Sequence, residues 1–365
     1  MAEDRYNKLM TKICNVMDVL ERWAPRCLAL DWDPVGLQLG TEHQTIKNIG
    51  ITLDVCRRTV LWAQKHRLPF IISQHPLIFK HISSINYEHP RQAVLAEMLG
   101  IKAGVYTGHT AFDAATEGTN TQLARYLGLD EASLQPLLVS FLEPLMKVVT
   151  FVPHSHVDAV RGAMAKAGAG RLGNYSHCSF STAGLGTFMP LKGAKPFIGS
   201  TGLLEKVEET RIEIVVPKLR LAPVLAAMRA AHPYEEVAYD VYPMEVVIKK
   251  WGVGAIGQPL GAAPTAALLR KRFPRAIWKG APLGKRKIRR IAVLGGSGGS
   301  EVWQAMQAKA DIYITGDITH HHDLLARDGN LPILDIGHTF AEALMLKALH
   351  KHVRAAFPKE NVFLL

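Results

Sequence analysis

Short apolar runs alternate along most of this chain with segments whose apolar residues recur at helical spacing. The runs are rich in β-branched residues and bounded by turn residues, as buried strands are. Strands are predicted at residues 48–54, 69–73, 102–106, 290–294 and 331–336. Helices are predicted at residues 5–20, 56–66, 91–99, 120–127, 264–273 and 339–350. Strands that alternate with helices indicate an α/β layer architecture.

The pattern changes between residues 144 and 244. Strand-like runs are predicted there at 147–152, 184–189, 210–215 and 237–242, and helical segments at 157–167 and 219–231. The resulting order, β-α-β-β-α-β, is that of a ferredoxin-like α+β unit. We therefore predict a first α/β lobe at 1–143, an inserted ferredoxin-like domain at 144–245 and a second α/β lobe at 246–365.

Side chains that can bind a metal follow four of the apolar runs. His75 and Asp113 follow the second and third strands, Asp317 closes another apolar run, and His338 follows the last strand. Glu342 lies four residues after His338 at the start of a predicted helix, so both side chains share one helix face. Because ligands bind at the carboxyl ends of strands in open α/β sheets, we expect these side chains to meet on one sheet edge.

Histidine nitrogens and carboxylates without thiolates suit zinc, iron or manganese. The four cysteines are scattered and form no Cys-x-x-Cys pair, which argues against a thiolate metal site and fits a reduced chain. Carboxylates can bridge two ions, so a two-metal site is feasible. His109 and the run His320–His322 lie next to the same strand ends and are further candidates.

Other motifs have an ordinary structural explanation as well. The segment His232–Glu236 is predicted to be a packed turn, because it contains Pro233 and Tyr234. The glycine-rich segment 295–300 matches neither G-x-G-x-x-G nor the Walker A pattern, so a phosphate-binding loop and a tight turn both remain open. Trp32, in a loop-rich segment, is expected to pack against the protein interior.

Composition indicates a globular protein, with 48% apolar and 21% charged residues. No apolar run reaches the roughly 18 to 20 residues of a membrane span, and the acidic N-terminus lacks a secretory signal. We therefore expect a cytoplasmic protein. The net charge is +11, and twelve Lys or Arg but no acidic residue lie in 246–300. This stretch is either a solvated face or a contact for phosphate groups, and no nucleic-acid module accompanies it.

Seven motifs, in order along nearly the whole chain, resemble those of the NIF-three-like family, whose members are often labelled GTP cyclohydrolase 1 type 2 homologs. They are 32–40 (WDPVGLQLG), 73–79 (SQHPLIF), 109–113 (HTAFD), 232–240 (HPYEEVAYD), 295–298 (GGSG), 315–318 (TGDI) and 337–342 (GHTFAE). The resemblance implies a two-lobed α/β fold and ring-like homotrimers or homohexamers. The inserted domain resembles the trimeric PII and CutA signalling proteins, which implies a regulatory or assembly role.

The same resemblance implies a centre of two divalent metal ions in the cleft between the lobes, with His75, Asp113, His338 and Glu342 as ligands. The family usually has two adjacent histidines before the proline, whereas this sequence has Gln74 in the first of those places. A neutral amide oxygen is a weaker ligand than imidazole. One of the two ions is therefore expected to bind weakly or to take water instead.

Three functions remain open. A metal-dependent hydrolase would act on a nucleotide or another phosphorylated small molecule, with His109 and His321 as proton-transfer candidates. The alternative is a non-catalytic scaffold or sensor that is regulated through the inserted domain. Nucleic-acid binding through residues 270–290 is the third, and it predicts affinity that falls steeply with salt. The family label names a nucleotide ring opening for which the residues give no independent support.

Overall fold

The computed structural model describes residues 10–365. These residues form two compact units: unit 1 comprises 10–141 and Trp251–Leu365, and unit 2 comprises Leu142–Lys250. Unit 2 therefore interrupts unit 1 in the sequence. It begins at residue 142 and ends at residue 250, whereas the predicted inserted domain begins at 144 and ends at 245. Among residues 10–365, none of the helices combines the length and the apolar character that a membrane span requires.

Unit 1 alternates strands and helices on both sides of the insertion, as predicted. Before the insertion its elements are α1 (Ile13–Trp23), β1 (Gly36–Leu39), β2 (Asn48–Thr52), α2 (Arg57–His66), β3 (Phe70–Ser73), α3 (Pro90–Gly100), β4 (Gly104–Thr107), α4 (His109–Ala114), α5 (Thr119–Leu127) and β5 (Gln135–Pro153), which continues into unit 2. After it they are β8 (Tyr239–Gly257, which starts in unit 2), α8 (Ala266–Arg272), β9 (Ile277–Gly280), β10 (Ile291–Ser297), α9 (Val302–Gln307), β11 (Ile312–Gly316), α10 (His320–Asp328), β12 (Pro332–Asp335), α11 (Thr339–Ala356) and β13 (Asn361–Leu364).

The predicted first helix began at residue 5, but residues 1–9 lie outside the described part of the chain. Strands β1, β9 and β13 and helices α4, α9 and α10 were missed. Strands β1 and β9 are short and pair antiparallel to a neighbour, β1 with β4 and β9 with β12. Their partners are distant in sequence, so no local turn signal marks them.

Unit 1 contains two mixed sheets. In the first, of order β1-β4-β3-β2-β13, strands β4, β3, β2 and β13 run parallel. In the second, of order β8-β10-β11-β12-β9, strands β10, β11 and β12 run parallel. The expectation of one shared sheet edge is therefore wrong. After the insertion the chain builds a new sheet, and only β13 returns to pair with the first.

Helix α11 packs against both sheets of unit 1. Its residues Met345, Leu349 and Val353 belong to the core of the first sheet with Phe70 of β3, whereas Ala341 belongs to the core of the second sheet. Burial of each large apolar side chain contributes about 1.5 to 3 kcal/mol. The helix that begins after His338 is thus fixed on both sides.

Unit 2 has the order β5-α6-β6-β7-α7-β8, where α6 is Val157–Lys166, β6 is Ser179–Phe188, β7 is Glu205–Pro217 and α7 is Leu221–Ala231. The predicted β-α-β-β-α-β order is confirmed, and the fold is α/β with an inserted ferredoxin-like α+β unit. Its sheet has the order β6-β7-β5-β8. One sheet face packs against α6 and α7 through Val148, Ile212, Val160 and Met228, which are all buried.

Candidate metal centre

Ligand atoms of three residues, from two separate segments of unit 1, converge at one point. His75 Nε2 lies 3.1 Å from Glu342 Oε1 and 3.1 Å from His338 Nε2, and His338 Nε2 lies 3.4 Å from Glu342 Oε1. Among residues 10–365, these three side chains are the His, Cys, Asp or Glu residues whose ligand atoms lie close enough together to share one metal ion. We call His75, His338 and Glu342 the metal triad.

Strand ends and one helix turn position the metal triad. His75 follows β3 and is held there by a hydrogen bond from its backbone N–H to the Leu53 carbonyl, at 2.8 Å. His338 immediately precedes α11, and Gly337, at φ +80°, makes the turn from β12. Glu342 lies in the first turn of α11 and is only 3% exposed. His75 and His338 thus follow the carboxyl ends of parallel strands in two different sheets, and Glu342 comes from the helix that begins directly after His338.

Each triad histidine carries a carboxylate on its other ring nitrogen. Asp54 Oδ1 lies 3.0 Å from His75 Nδ1, and Asp317 Oδ2 lies 2.7 Å from His338 Nδ1. In the neutral imidazole such a partner places the proton on Nδ1 and leaves the lone pair on Nε2, as in histidines that bind metals. Asp317 was a candidate from the sequence, whereas Asp54 was missed.

The electrostatics of the metal triad favour positive charge. Burial would lower the pKa of His75, but hydrogen bonds with Asp54 and Glu342 raise it to about 10. Hydrogen bonds with Glu342 and Asp317 raise the pKa of His338 to about 9, although burial alone would lower it. Burial would raise the pKa of Glu342, but the two histidines lower it overall. The carboxylate therefore stays ionised, and a metal cation competes here with protons.

The glycine-rich segment forms a wall of the metal triad. Gly296 has φ +79°, and a Cβ atom there would lie 3.0 Å from Glu342 Oε1 and 3.8 Å from His338 Nε2. A Cβ atom at Gly316 would lie 2.7 Å from the Gly296 carbonyl oxygen. Close backbone approach to the triad therefore explains these glycines.

Gln74 and Asp113, two of the predicted ligands, lie outside the metal triad and pair with each other. Gln74 is fully buried, and its Nε2 donates to Asp113 Oδ1 at 3.0 Å. Burial raises the pKa of Asp113 to about 6. Gln74 Oε1 and Glu342 Oε2 are buried without a hydrogen-bond partner among the described residues. Buried oxygens left in this state favour a cation nearby, so the residues present fit a metal.

Like the triad histidines, His109 has a carboxylate beside its Nδ1 atom. Its Nδ1 lies 2.8 Å from Asp33 Oδ1, and its ring centroid lies 6.0 Å from that of His75. Its φ of +33° is strained for a residue with a side chain. Trp32 and Phe79 stand beside its ring, with centroids at 6.1 and 6.2 Å. Trp32 is 60% exposed, so the expectation that it packs inside is wrong.

The other histidines singled out from the sequence lie elsewhere. His321 is exposed in the first turn of α10, where its ring contacts that of His320. The His322 ring packs against Gly299, in space that a side chain at residue 299 would occupy. His232, in unit 2, is buried: its Nε2 donates to the Phe151 carbonyl at 2.9 Å, and its Nδ1 accepts from a backbone N–H. The predicted packed turn at this position is confirmed.

Several residues of the basic stretch form contacts within unit 1. The Arg270 guanidinium lies 5.5 Å from the centroid of the Trp278 ring. The backbone N–H groups of Arg289 and Arg290 donate to Asp311 Oδ2 at 2.7 and 2.8 Å. These contacts give at least part of the stretch a structural role.

Fold and site together define a class of protein: an α/β protein with a His–His–Glu group that could hold a metal ion, placed at the carboxyl ends of parallel strands in two sheets, and with an inserted α+β unit. The family described as Duf34/NIF3 (NGG1p interacting factor 3) matches residues 11–364. The chain belongs to this family.

Relatives and solved structures agree with that assignment. The Bacillus subtilis (strain 168) protein named "GTP cyclohydrolase 1 type 2 homolog" is 37% identical over 335 residues, 90% of this chain and 88% of the relative. A Mycobacterium tuberculosis (strain ATCC 25618 / H37Rv) protein of the same name is 33% identical over 361 residues, 96% of this chain and 94% of the relative. The crystal structure of a Bacillus cereus protein related to NIF3 is similar with a TM-score of 0.83 and 34% identity, covering 98% of this chain and 97% of that one.

Proposed function

We propose that this protein is a metal-dependent hydrolase that acts on a nucleotide or another phosphorylated small molecule. The observation that carries the proposal is the metal triad, in which each histidine is oriented by a carboxylate on Nδ1. The names of the relatives, GTP cyclohydrolase 1 type 2 homolog, support a nucleotide as the substrate.

The donor set of the triad suits zinc, iron or manganese. Gln74 Oε1, Asp113 and Glu342 Oε2 are the oxygen donors that we assign to a second divalent ion, so the proposed centre is dinuclear. His75, His338 and Glu342 would hold a divalent ion, which would lower the pKa of a water ligand and polarise a phosphoryl or carbonyl oxygen of a substrate.

His109 is the residue that we assign to proton transfer. Asp33, whose side chain is fully buried, holds a proton on His109 Nδ1 and leaves Nε2 to accept one. The His109 side chain is 18% exposed, so a substrate can reach it while most of the ring is shielded from water. The role of His321 stays a prediction.

An exposed aromatic pair next to His109 supports a substrate with a flat ring. Trp32 and Phe79 are 60% and 51% exposed, and their ring centroids lie 5.9 Å apart. Stacking of a nucleobase on an aromatic side chain contributes about 1 to 3 kcal/mol. We therefore assign this pair to binding of the base, beside His109.

Turnover of a panel of nucleotides and phosphoesters, GTP included, by protein loaded with zinc, iron or manganese tests the proposal. His109→Gln is expected to lower kcat about 100- to 10,000-fold while leaving the metal content unchanged, and Trp32→Ala is expected to raise KM. Full activity of His109→Gln would remove His109 from the mechanism. If fully loaded protein turns over no compound, the non-catalytic scaffold or sensor is the better account.

Self-association as a homotrimer or homohexamer and a cytoplasmic location are also part of the proposed picture. The family resemblance supports the assembly. Light scattering on purified protein measures it directly, with three or six times the 40.2 kDa chain mass as the expected result.

A further inference from the structure

Unit 2 contains a cavity of about 670 Å³ that lies over the sheet face opposite to α6 and α7. The floor is formed by β6, β7 and Phe151 of β5. The segments Met189–Phe197 and Tyr234–Glu236 complete the lining. Ligand cavities in proteins have volumes of this order, about 300 to 1,000 Å³.

Two glycines on β6 keep the floor of the cavity free of side chains. Gly184 and Gly186 lie four and two residues before Phe188, so they face the same side of the sheet as its ring. A Cβ atom at Gly184 would meet nothing within 4 Å, and one at Gly186 would lie 2.2 Å from Glu209 Oε2. Glycine within a strand often marks a place where a ligand approaches the backbone. Here Gly186 makes room for the Glu209 carboxylate, and Gly184 leaves space that the protein does not fill.

The walls combine aromatic rings with one buried carboxylate. The ring centroids of Phe188 and Phe197 lie 5.9 and 6.3 Å from that of Tyr234. Glu209 is only 9% exposed and forms no ion pair with a Lys, Arg or His among residues 10–365. The nearby cation, Arg211, pairs with Glu213 instead, at 3.0 Å.

We propose that this cavity binds a planar aromatic or heteroaromatic molecule that carries an amino or other N–H donor group, with the ring between the aromatic walls and the donor group on Glu209. Aromatic rings attract both flat rings and cations. A buried carboxylate without a protein cation gains most from a donor on the ligand. The site lies in unit 2 and does not depend on the metal triad.

Isothermal titration of the full-length protein with a matched pair of probes tests the charge preference. Tryptamine and indole-3-acetate share a ring and carry opposite charges. Tryptamine is expected to bind at least about tenfold more tightly, and Glu209→Gln is expected to remove most of that difference. Equal binding of the two probes, or a preference unchanged by Glu209→Gln, would overturn the proposal.

Cavity-filling variants locate the binding. Gly184→Phe adds a ring into open space and is expected to abolish tryptamine binding. Gly162→Leu, on α6, also adds a side chain into open space and is expected to bind tryptamine as the natural sequence does. Metal content should be unchanged in both variants. Tryptamine binding that survives Gly184→Phe would contradict the assignment.

Competition with adenosine and guanosine identifies the source of the ligand. Displacement of tryptamine by either nucleoside assigns the cavity to nucleobases, and failure to displace it assigns the cavity to smaller aromatic amines. If no probe binds and Gly184→Phe changes the mass measured by light scattering, the cavity is a contact surface between copies of this chain. That result would overturn the proposal.

Discussion

Asp317→Asn removes the carboxylate that orients His338 while leaving the metal triad itself intact. Asp317 Oδ2 lies 2.7 Å from His338 Nδ1, and an amide in its place can still accept the Nδ1 proton but carries no charge. The backbone of Asp317 is left-handed, at φ +56°, which asparagine tolerates. The side chain is 51% exposed, so we expect little change in the free energy of unfolding.

Loss of such an orienting partner typically costs 10- to 100-fold in metal affinity, which corresponds to about 1.4 to 2.7 kcal/mol. We expect that loss for Asp317→Asn and a similar one for Asp54→Asn, measured by competition with a chromophoric chelator at fixed pH. Asp158→Asn, an exposed carboxylate on α6 that pairs with Arg161, is the control and should bind metal normally. Affinities of both variants within threefold of the unsubstituted protein would refute the argument that the Nδ1 carboxylates support metal binding.

Three further predictions concern the same site. Gln74→His puts an imidazole in place of an amide that is hydrogen-bonded to Asp113, and it should raise the number of metal equivalents bound per chain. Unchanged stoichiometry would exclude Gln74 as the cause of weak binding of one ion. Gly296→Ala and Gly284→Ala each place alanine at a positive φ, which costs about 1 to 2 kcal/mol, but only the first places a methyl group against Glu342, at 3.0 Å. Metal affinity should fall in the first variant and not in the second, as a chelator titration would show. Because the pKa values of the two triad histidines are raised to about 10 and 9, both hold protons at pH 7, so affinity should rise with pH up to that range. Calorimetry in buffers of different ionisation enthalpy should show about two protons released per ion, and release of fewer than about one would contradict the raised pKa values.

The strand ends could be predicted from the sequence because a short apolar run followed by a polar residue is a local signal. His75 and His338 were found in this way, and Glu342 was found from its helical spacing. The division into two sheets could not be predicted, because strand partners are chosen by contacts between residues far apart in the chain. Strand β13 pairs with β2, from the other end of the sequence.

The carboxylates that orient the histidines show the same limit. Asp54 and Asp33 each meet a histidine that follows a different strand or loop, at 3.0 and 2.8 Å. Nothing in the local sequence of either residue indicates that neighbour. Parallel order of β2, β3 and β4 brings the carboxyl ends of these strands together, and only a correct sheet order would have suggested the pairing of Asp54 with His75.

The central claim is that the metal triad holds a divalent ion, and metal content per chain tests it most directly. Elemental mass spectrometry on protein purified without a histidine tag and incubated with zinc, iron or manganese should find between one and two equivalents. Glu342→Gln, which keeps the buried volume of the side chain and removes its charge, should lose most of that metal. No bound metal in the unsubstituted protein, or equal metal in the Glu342→Gln variant, would contradict the account.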